Sequence, residues 1–465
     1  MVFKLIIIIT YRLTIVVIAI KYDVEKRTMM WAYKSVFYQI YPLGFCGAPQ
    51  VNDGLCVPRI KKVSAWIDHI KSCGCDAIYF SPVFESDSHG YDTRDYAKID
   101  CRLGTNADFS DVCLNLHKNG IKIVLDAVFN HVGRGFWAFQ DVIKNLENSS
   151  YKDWFEIHFD GDSNYHDGFW YEGWEGHFEL VKLNLRNEEV IQYLFGCIQS
   201  WVKEFDIDGL RLDVAYCLDR DFLQRFRAYC DNLKSEFFLV GEILGDDYNQ
   251  IMNEKMLHSA TNYECYKGIY SSFNSMNMFE IAHSLSRQFG PEDWTLYKGK
   301  HLFNFVDNHD VARIATSITN EAHLPLVYAM LFSIPGIPCI YYGSEWAVQG
   351  AKESGSDASL RPCFEKPECN ELTKYIADCA NAHKNSKALC YGDFKTLFLT
   401  NKQFIFERSF GDNRVLVAIN AHSEPFFAQF NANAGRARDL LTGKMHDFGG
   451  GSELPPYSAQ YWEVF

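Results

Sequence analysis

Lys122-Ile-Val-Leu-Asp126 is a short β-branched run closed by an acid, and the chain repeats that pattern. Gly209-Leu-Arg-Leu-Asp213 and Phe237-Phe-Leu-Val-Gly-Glu242 have the same form, and His301-Leu-Phe-Asn-Phe-Val-Asp307 runs on into Asn308-His309-Asp310. Apolar runs of this length suit strands of a parallel sheet, which are covered on both faces. Working outward, Ser35 to Tyr41, Ala77 to Pro82, Ser259 to Tyr263 and Gly336 to Tyr342 bring the strand candidates to eight. The stretches between them are longer and amphipathic, with helices expected over Arg59 to Ser72, Asp108 to Asn119, Asn187 to Phe205 and Pro325 to Ser333. Strands alternating with crossover helices in one continuous run predict an α/β fold, a closed (β/α)₈ TIM barrel rather than an open sheet.

Two stretches interrupt the alternation. Residues 132–182, after the third strand, are rich in aromatics, Gly and Asp (FDGDSNYHDGFWYEGWEGHF) and too long for an ordinary βα loop, so a small inserted lid subdomain is expected. From residue 389 to 465 helical patterning stops. Phe394 to Leu399, Gln403 to Arg408, Arg414 to Asn420, Phe426 to Phe430 and Tyr457 to Val464 read as strands of a C-terminal antiparallel β-sandwich. The barrel then occupies 34–131 and 183–388, behind a leader of residues 1–33. In that leader, Leu5 to Ile20 is apolar but carries Arg12. Sixteen residues span ~24 Å as a helix, short of a ~30 Å hydrocarbon core. The leader is therefore read as outside the working protein, with Met29 or Met30 as the start; no membrane partner is expected, and the apolar segment leaves an anchored or exported form open.

Composition narrows the function classes. A net charge of −14 provides no footprint for a polyanion, which argues against nucleic acid as a partner. The fifteen cysteines form no paired CxxC units, as expected of reduced thiols in a cytoplasmic protein.

In a βα barrel the C-terminal ends of the strands surround the active-site mouth, so acids at Asp126, Asp213, Glu242 and Asp310 converge there. Any one of them could simply close a strand with a polar residue. Asp213, Glu242 and Asp310 grouped in one water-poor mouth raise one another's proton affinity, which lets one carboxyl stay protonated while another ionises. Glycoside hydrolysis needs that division: an acid for the leaving oxygen and a carboxylate for the anomeric carbon. Arg211 lies two residues before Asp213 and projects to the same face. A neighbouring guanidinium favours the ionised carboxylate, making Asp213 the expected nucleophile and Glu242 the acid.

These residues carry a family resemblance. Asp126-Ala-Val-Phe-Asn-His131, Gly209-Leu-Arg-Leu-Asp213, Gly241-Glu242 and Phe305-Val-Asp-Asn-His-Asp310 resemble the four ordered signature regions of the α-amylase family of glycoside hydrolases. Gly74-Cys-Asp-Ala-Ile-Tyr-Phe-Ser-Pro82, His89-Gly-Tyr-Asp-Thr-Arg-Asp-Tyr96, Val181-Lys-Leu-Asn184 and Gly336-Ile-Pro-Cys-Ile-Tyr-Tyr-Gly-Ser-Glu345 are similar to its accessory regions, in family order. The resemblance implies a retaining mechanism, with Asp213 as nucleophile, Glu242 as acid and base, and Asp310 supporting the transition state. It also implies that His131, His309 and Tyr91 contact the sugar that supplies the anomeric carbon, that Arg211 orients Asp213, and that Asp357 and Arg361 contact the next sugar. Asp126 is expected to support the site without reacting.

No cofactor is expected. The resemblance makes Asn130 a weak candidate calcium ligand, but Cys217 stands where calcium-dependent members commonly carry His, and thiols suit hard cations poorly. Asp160-Gly-Asp-Ser-Asn164 opens like a calcium loop and then departs from its pattern at Tyr165 and Tyr171.

Val181-Lys-Leu-Asn184 and Val214 resemble the neopullulanase, cyclomaltodextrinase and maltogenic amylase group, whose N-terminal β-domain is not expected ahead of a barrel starting at about residue 34. The expected activity is hydrolysis of α-1,4-linked maltodextrins, with cyclodextrins, pullulan and α-1,6 bonds left open. Transglycosylation or oligo-1,6-glucosidase activity would use the same residues, and a non-catalytic carbohydrate-binding homologue is the reading from another class. Trp174, Tyr171 and Phe169 could line acceptor subsites or fill the lid's core, and oligomeric state stays undetermined.

Overall fold

The computed structural model describes residues 30–245 and 247–465. The expectation about the leader falls on residues 1–29 and lies outside the described residues, as do those residues themselves. Among the described residues, no helix is long and apolar enough to cross a membrane.

Eight parallel strands form the barrel: β1 (Phe37–Ile40), β2 (Ala77–Phe80), β3 (Lys122–Ala127), β4 (Gly209–Leu212), β5 (Phe238–Gly241), β6 (Ser259–Ala260), β7 (Phe303–Asn304) and β8 (Ile337–Tyr341). They are hydrogen-bonded in the order β6-β5-β4-β3-β2-β1-β8-β7. A parallel bridge between Thr261 and Phe303 closes the ring, with Asn262 N donating to Phe303 O at 2.9 Å. Phe37, Tyr79, Val124, Phe238, Val240, Phe303 and Phe305 fill the interior, so the barrel is a packed core.

β6 and β7 are shorter than the sequence pattern implies. Asn304 lies opposite Pro338 of β8, which has no N–H to extend the ladder. Side-chain amides take over: Asn262 donates to Asn304 Oδ1 (3.0 Å) and Gln288 Oε1 (3.1 Å), and Asn304 donates to Pro335 O (2.9 Å).

The helices follow local chemistry. Asn106–Lys118 starts in a capping box between Thr105 and Asp108, and Glu188–Phe205 is capped by Asn187, whose Oδ1 accepts from Glu189 N at 2.8 Å. The helix expected over Arg59 to Ser72 is instead a 3₁₀ stretch, Arg59–Trp66, followed by a short α-helix, Ile67–Ser72. Its buried residues Ile60, Val63 and Trp66 recur every three positions, which matches three residues per turn.

The segment after β3 builds a small sheet in which His177–Lys182 pairs with His131–Gly133 on one side and Gly173–Trp174 on the other. Its first strand starts at His131, so this subdomain delivers that histidine to the mouth. The C-terminal part is an antiparallel six-stranded sheet facing the pair Phe426–Ala428 and Ser452–Leu454. Its central strands alternate between two cores. Ile405, Leu416, Ala418 and Trp462 face the sandwich, while Phe404, Phe406, Val415 and Val417 join the barrel's outer core. Strands at Arg436–Asp439, Met445–Asp447 and Ser452–Leu454 were not legible in sequence, because each is three or four residues long and polar. All fifteen cysteines are free thiols and ten are buried.

Candidate active site

A cavity of 1060 Å³ opens at the C-terminal ends of the strands, lined by Tyr91, His131, Asp213, Glu242, Asp310, Asp357 and Arg361. Arg211 and His309 form part of a narrow recess beneath it. The structure thus brings together the acids, histidines, Tyr91 and Arg/Asp pair picked from sequence. Asn130, Tyr171 and Phe169 do not line the cavity. Tyr171 and Phe169 are fully buried in the lid's core, whereas Trp174 reaches the cavity wall.

Arg211 organises the floor. Its Nη1 donates to both oxygens of Asp126 (2.8 Å each) and to Asp213 Oδ1 (2.9 Å), and its Nη2 lies 2.9 Å from Glu242 Oε1. One cation therefore serves three carboxylates. Burial pushes Asp213 well above the usual carboxylate range, reinforced by Glu242 and Asp126; Arg211 acts in the expected direction, favouring the ionised form, without outweighing burial. Asp126 stays below the cavity, where it also accepts from Tyr79 (2.7 Å) and Tyr91 (3.1 Å).

Asp213 and Glu242 are tied through the backbone between them. Val214 N donates to Glu242 Oε2 at 3.2 Å. To do so Val214 adopts φ 38° and ψ 47°, left-handed values that a β-branched residue rarely takes, so strain sits directly after Asp213. Asp213 Oδ2 is turned away from Arg211 and lies 3.9 Å from His131 Nε2. That nitrogen is buried and has no hydrogen-bond partner among the described residues. Burial, with a smaller contribution from His89, lowers His131 to about 3, leaving a neutral ring.

Across the mouth, Asp310 is held by His309 Nε2 (3.0 Å) and Arg361 Nη2 (3.2 Å), and Arg361 Nη2 also reaches Asp357 Oδ2 at 3.0 Å. Burial works against ionisation of Asp310, but His309, Arg361 and Arg211 outweigh it and hold the carboxyl below its ordinary value. Gly44 allows this arrangement, since a Cβ there would lie 2.1 Å from Arg361 O. The two carboxylates of the mouth therefore differ in state: Asp213 retains protons more strongly than a free carboxyl, and Asp310 less strongly.

Several lining residues escaped the sequence reading. Tyr263 donates to Glu242 Oε1 at 3.3 Å and accepts from Asn308 Nδ2 at 3.3 Å, and Tyr41 stacks on His309 and lies under the Arg361 guanidinium. Both stand at the ends of predicted strands. Applying the strand-end rule to aromatic residues as well as acids would have found them.

Asn130 and Asp162, the residues that the calcium expectation rested on, are engaged in hydrogen bonds within the protein. The Asn130 amide nitrogen is 3.2 Å from His131 Nδ1, and Asp162 accepts from Ser163 N and Gly168 N and lies 3.0 Å from His166. Away from the cavity, His69, Cys73 and Glu345 cluster in the core. His69 Nε2 and Glu345 Oε1 are 2.7 Å apart, closer than the ~3.3 Å that two tetrahedral ligands at ~2.0–2.1 Å bonds require.

Residues 39–389 match the family model described as the α-amylase catalytic domain, and residues 399–463 match the α-amylase C-terminal all-beta domain. A cyclomaltodextrinase from Thermoanaerobacter pseudethanolicus is 31% identical over 458 residues, covering 92% of this chain and 77% of the relative. Neopullulanase 2 of Thermoactinomyces vulgaris is 31% identical, covering 90% and 75%. Among solved structures, the cyclic α-maltosyl-(1→6)-maltose hydrolase from Arthrobacter globiformis superposes with a TM-score of 0.80 at 26% identity, covering 94% of this chain and all of that one. The chain belongs to the α-amylase family of glycoside hydrolases.

Proposed function

We propose that this enzyme hydrolyses α-linked glucan oligosaccharides with Asp213 as nucleophile and Glu242 as acid and then base. One observation carries the assignment: Arg211 holds Asp213 Oδ1 at 2.9 Å and Glu242 Oε1 at 2.9 Å, leaving Asp213 Oδ2 outside that hydrogen bond, and both acids line the cavity. Asp213 Oδ2 attacks the anomeric carbon while Glu242 passes its proton to the glycosidic oxygen, which leaves with the bonding electron pair. Water then attacks the glycosyl-enzyme, gives its proton to Glu242 and frees Asp213, with net retention of configuration. Substrate entry displaces water from the acids, and the oxocarbenium-like charge that develops is offset by Asp213 and by the ionised Asp310. Asp357 and Arg361 bind the neighbouring sugar. The histidines donate to sugar hydroxyls, and Tyr91 contributes its ring and hydroxyl to the same subsite.

The expected main substrates are α-1,4-linked maltodextrins, including cyclic ones, and no metal is required. A second reading, cleavage of α-1,6 bonds, is favoured by the similarity to the maltosyl-(1→6)-maltose hydrolase and the neopullulanase. The fifteen free thiols suit a cytoplasmic enzyme. Product analysis on maltoheptaose, β-cyclodextrin, pullulan and isomaltose separates the linkages; turnover of isomaltose alone would reassign the enzyme. Asp213→Asn and Glu242→Gln are each expected to reduce hydrolysis of maltoheptaose by ~10²–10⁴-fold or more. Near-normal rates in either variant would remove the proposed mechanism, and binding without turnover by the unsubstituted protein would indicate a carbohydrate-binding role.

A further inference from the structure

Protons in the hydrogen-bond chain through His309 can be placed from its fixed ends. Asp310 is an acceptor 3.0 Å from His309 Nε2, so that nitrogen carries the hydrogen. Tyr91 also contacts Nε2, and its hydroxyl lies 3.1 Å from Asp126, a carboxylate already paired with Arg211. Tyr91 therefore gives its one proton to Asp126 and accepts from His309. With Nε2 protonated, a neutral His309 has its lone pair on Nδ1. Gln39 Nε2 stands 2.8 Å from Nδ1 and 3.2 Å from Ser81 Oγ, so the two hydrogens of its amide have one acceptor each. Gln39 is on β1, 3% exposed, and outside the 1060 Å³ cavity.

His131 repeats the arrangement independently. The Asn130 amide nitrogen faces its Nδ1 at 3.2 Å, and the unpartnered Nε2 faces Asp213 Oδ2 at 3.9 Å. We propose that Gln39 and Asn130 are positioning residues that fix His309 and His131 as neutral, Nε2-protonated tautomers, so that the His131 N–H is directed toward Asp213 and the cavity, while the His309 N–H serves Asp310 and Tyr91 in the free enzyme and is shared with a sugar hydroxyl on binding. Two donors of this kind match sugar hydroxyl oxygens, and a neutral pair adds no positive charge where an oxocarbenium-like ion forms. The inference rests on the glycosidase reading for its purpose, but the tautomers themselves do not depend on it.

The test is ¹⁵N NMR of the full chain labelled on histidine side chains, with His309 and His131 signals assigned by their loss in His309→Gln and His131→Gln. In the unsubstituted protein each ring is expected to show a pyridine-type Nδ1 and a pyrrole-type Nε2. A pyrrole-type Nδ1 in either ring, or two pyrrole-type nitrogens, overturns the assignment for that ring without requiring any variant to be active. In Gln39→Glu the carboxylate draws a proton onto Nδ1, so both His309 nitrogens become pyrrole-type and kcat/KM falls about 10- to 100-fold, as when an outer partner of a functional histidine is lost. Gln39→Met, which removes the amide without adding charge, is expected to lose less and to show mixed tautomers. Unchanged His309 signals in folded Gln39→Glu would also overturn the role of Gln39. If the tautomers hold while Asp213→Asn remains active, the glycosidase mechanism fails and this inference stands.

Discussion

Two buried arginines at opposite ends of the barrel show what the fold does with a cation. Arg211, in the mouth, touches three carboxylates; burial works against its charge, but Asp126 and Glu242 raise its proton affinity well above the ordinary value. Arg408, beneath the barrel at the seam with the C-terminal sheet, donates to Ser333 O at 2.6 Å and Gly392 O at 2.9 Å, and burial lowers its proton affinity. Ser333 ends the helix Leu324–Ser333, so this guanidinium sits at the negative end of a helix dipole. Arg211 is held by charges that chemistry uses, and Arg408 by carbonyls that only need a donor. The top of the barrel thus concentrates negative charge, while the bottom satisfies backbone groups, which matches the separation of activity from stability expected in this architecture.

That contrast can be broken by substitution, and the largest effect is expected in the mouth. Arg211→Lys replaces a fork by a point charge that is unable to touch three carboxylates at once, so kcat should fall about 10²-fold or more through misplacement of the acids. Because the guanidinium opposes the upward push of burial on Asp213, its loss should also move the acidic limb of kcat/KM to higher pH. A limb that stays in place would mean that Asp213 does not set it. Arg408→Met should do the reverse. It strands two carbonyls, at an expected cost of about 2–4 kcal/mol, with a lower Tm but kcat/KM within about twofold at 25 °C. An activity loss as large as that of Arg211→Lys would erase the distinction between the two ends.

The smallest effect concerns Asp310. Its folded proton affinity lies below that of an unfolded aspartate, near 3.9, so its pairing contributes stability above about pH 4 that is lost as the pH falls through the folded value. Thermal melts of Asp310→Asn and the unsubstituted protein should therefore differ at neutral pH and converge in acid. A gap that persists unchanged in acid would show that Asp310 contributes packing rather than charge.

The barrel and its acids were readable in the chain because a parallel strand buried on both faces must be apolar until it emerges, and a residue emerging at the mouth is free to be polar. β3, β4 and β5 obey this rule, and Asp213 and Glu242 lie directly beyond the ends of β4 and β5. β6 and β7 were harder to read, since side-chain amides of Asn262, Asn304 and Gln288 replace ladder hydrogen bonds that pattern reading assumes. The short strands of the C-terminal sheet were hidden for a related reason: in Arg436–Asp439 the two buried positions are Ala437 and Asp439, so burial alternates while only one of the inward residues is apolar.

Sequence by itself determined the barrel, the lid's place after the third strand, and the identity of the acids, because these depend on local polarity and spacing along one chain. Tertiary structure decided how charge is shared among them. Arg211 could be paired with Asp213 by its two-residue spacing, but its links to Asp126 and Glu242 cross three strands. Only closure of the barrel buries Asp213 and adds the upward push on its proton affinity that Arg211 opposes. The same holds for Gln39, whose contact with His309 spans 270 positions and arises because β1 and the segment after β7 meet at one mouth. Proton affinity and tautomer are properties of the enclosure, and no single strand encodes them.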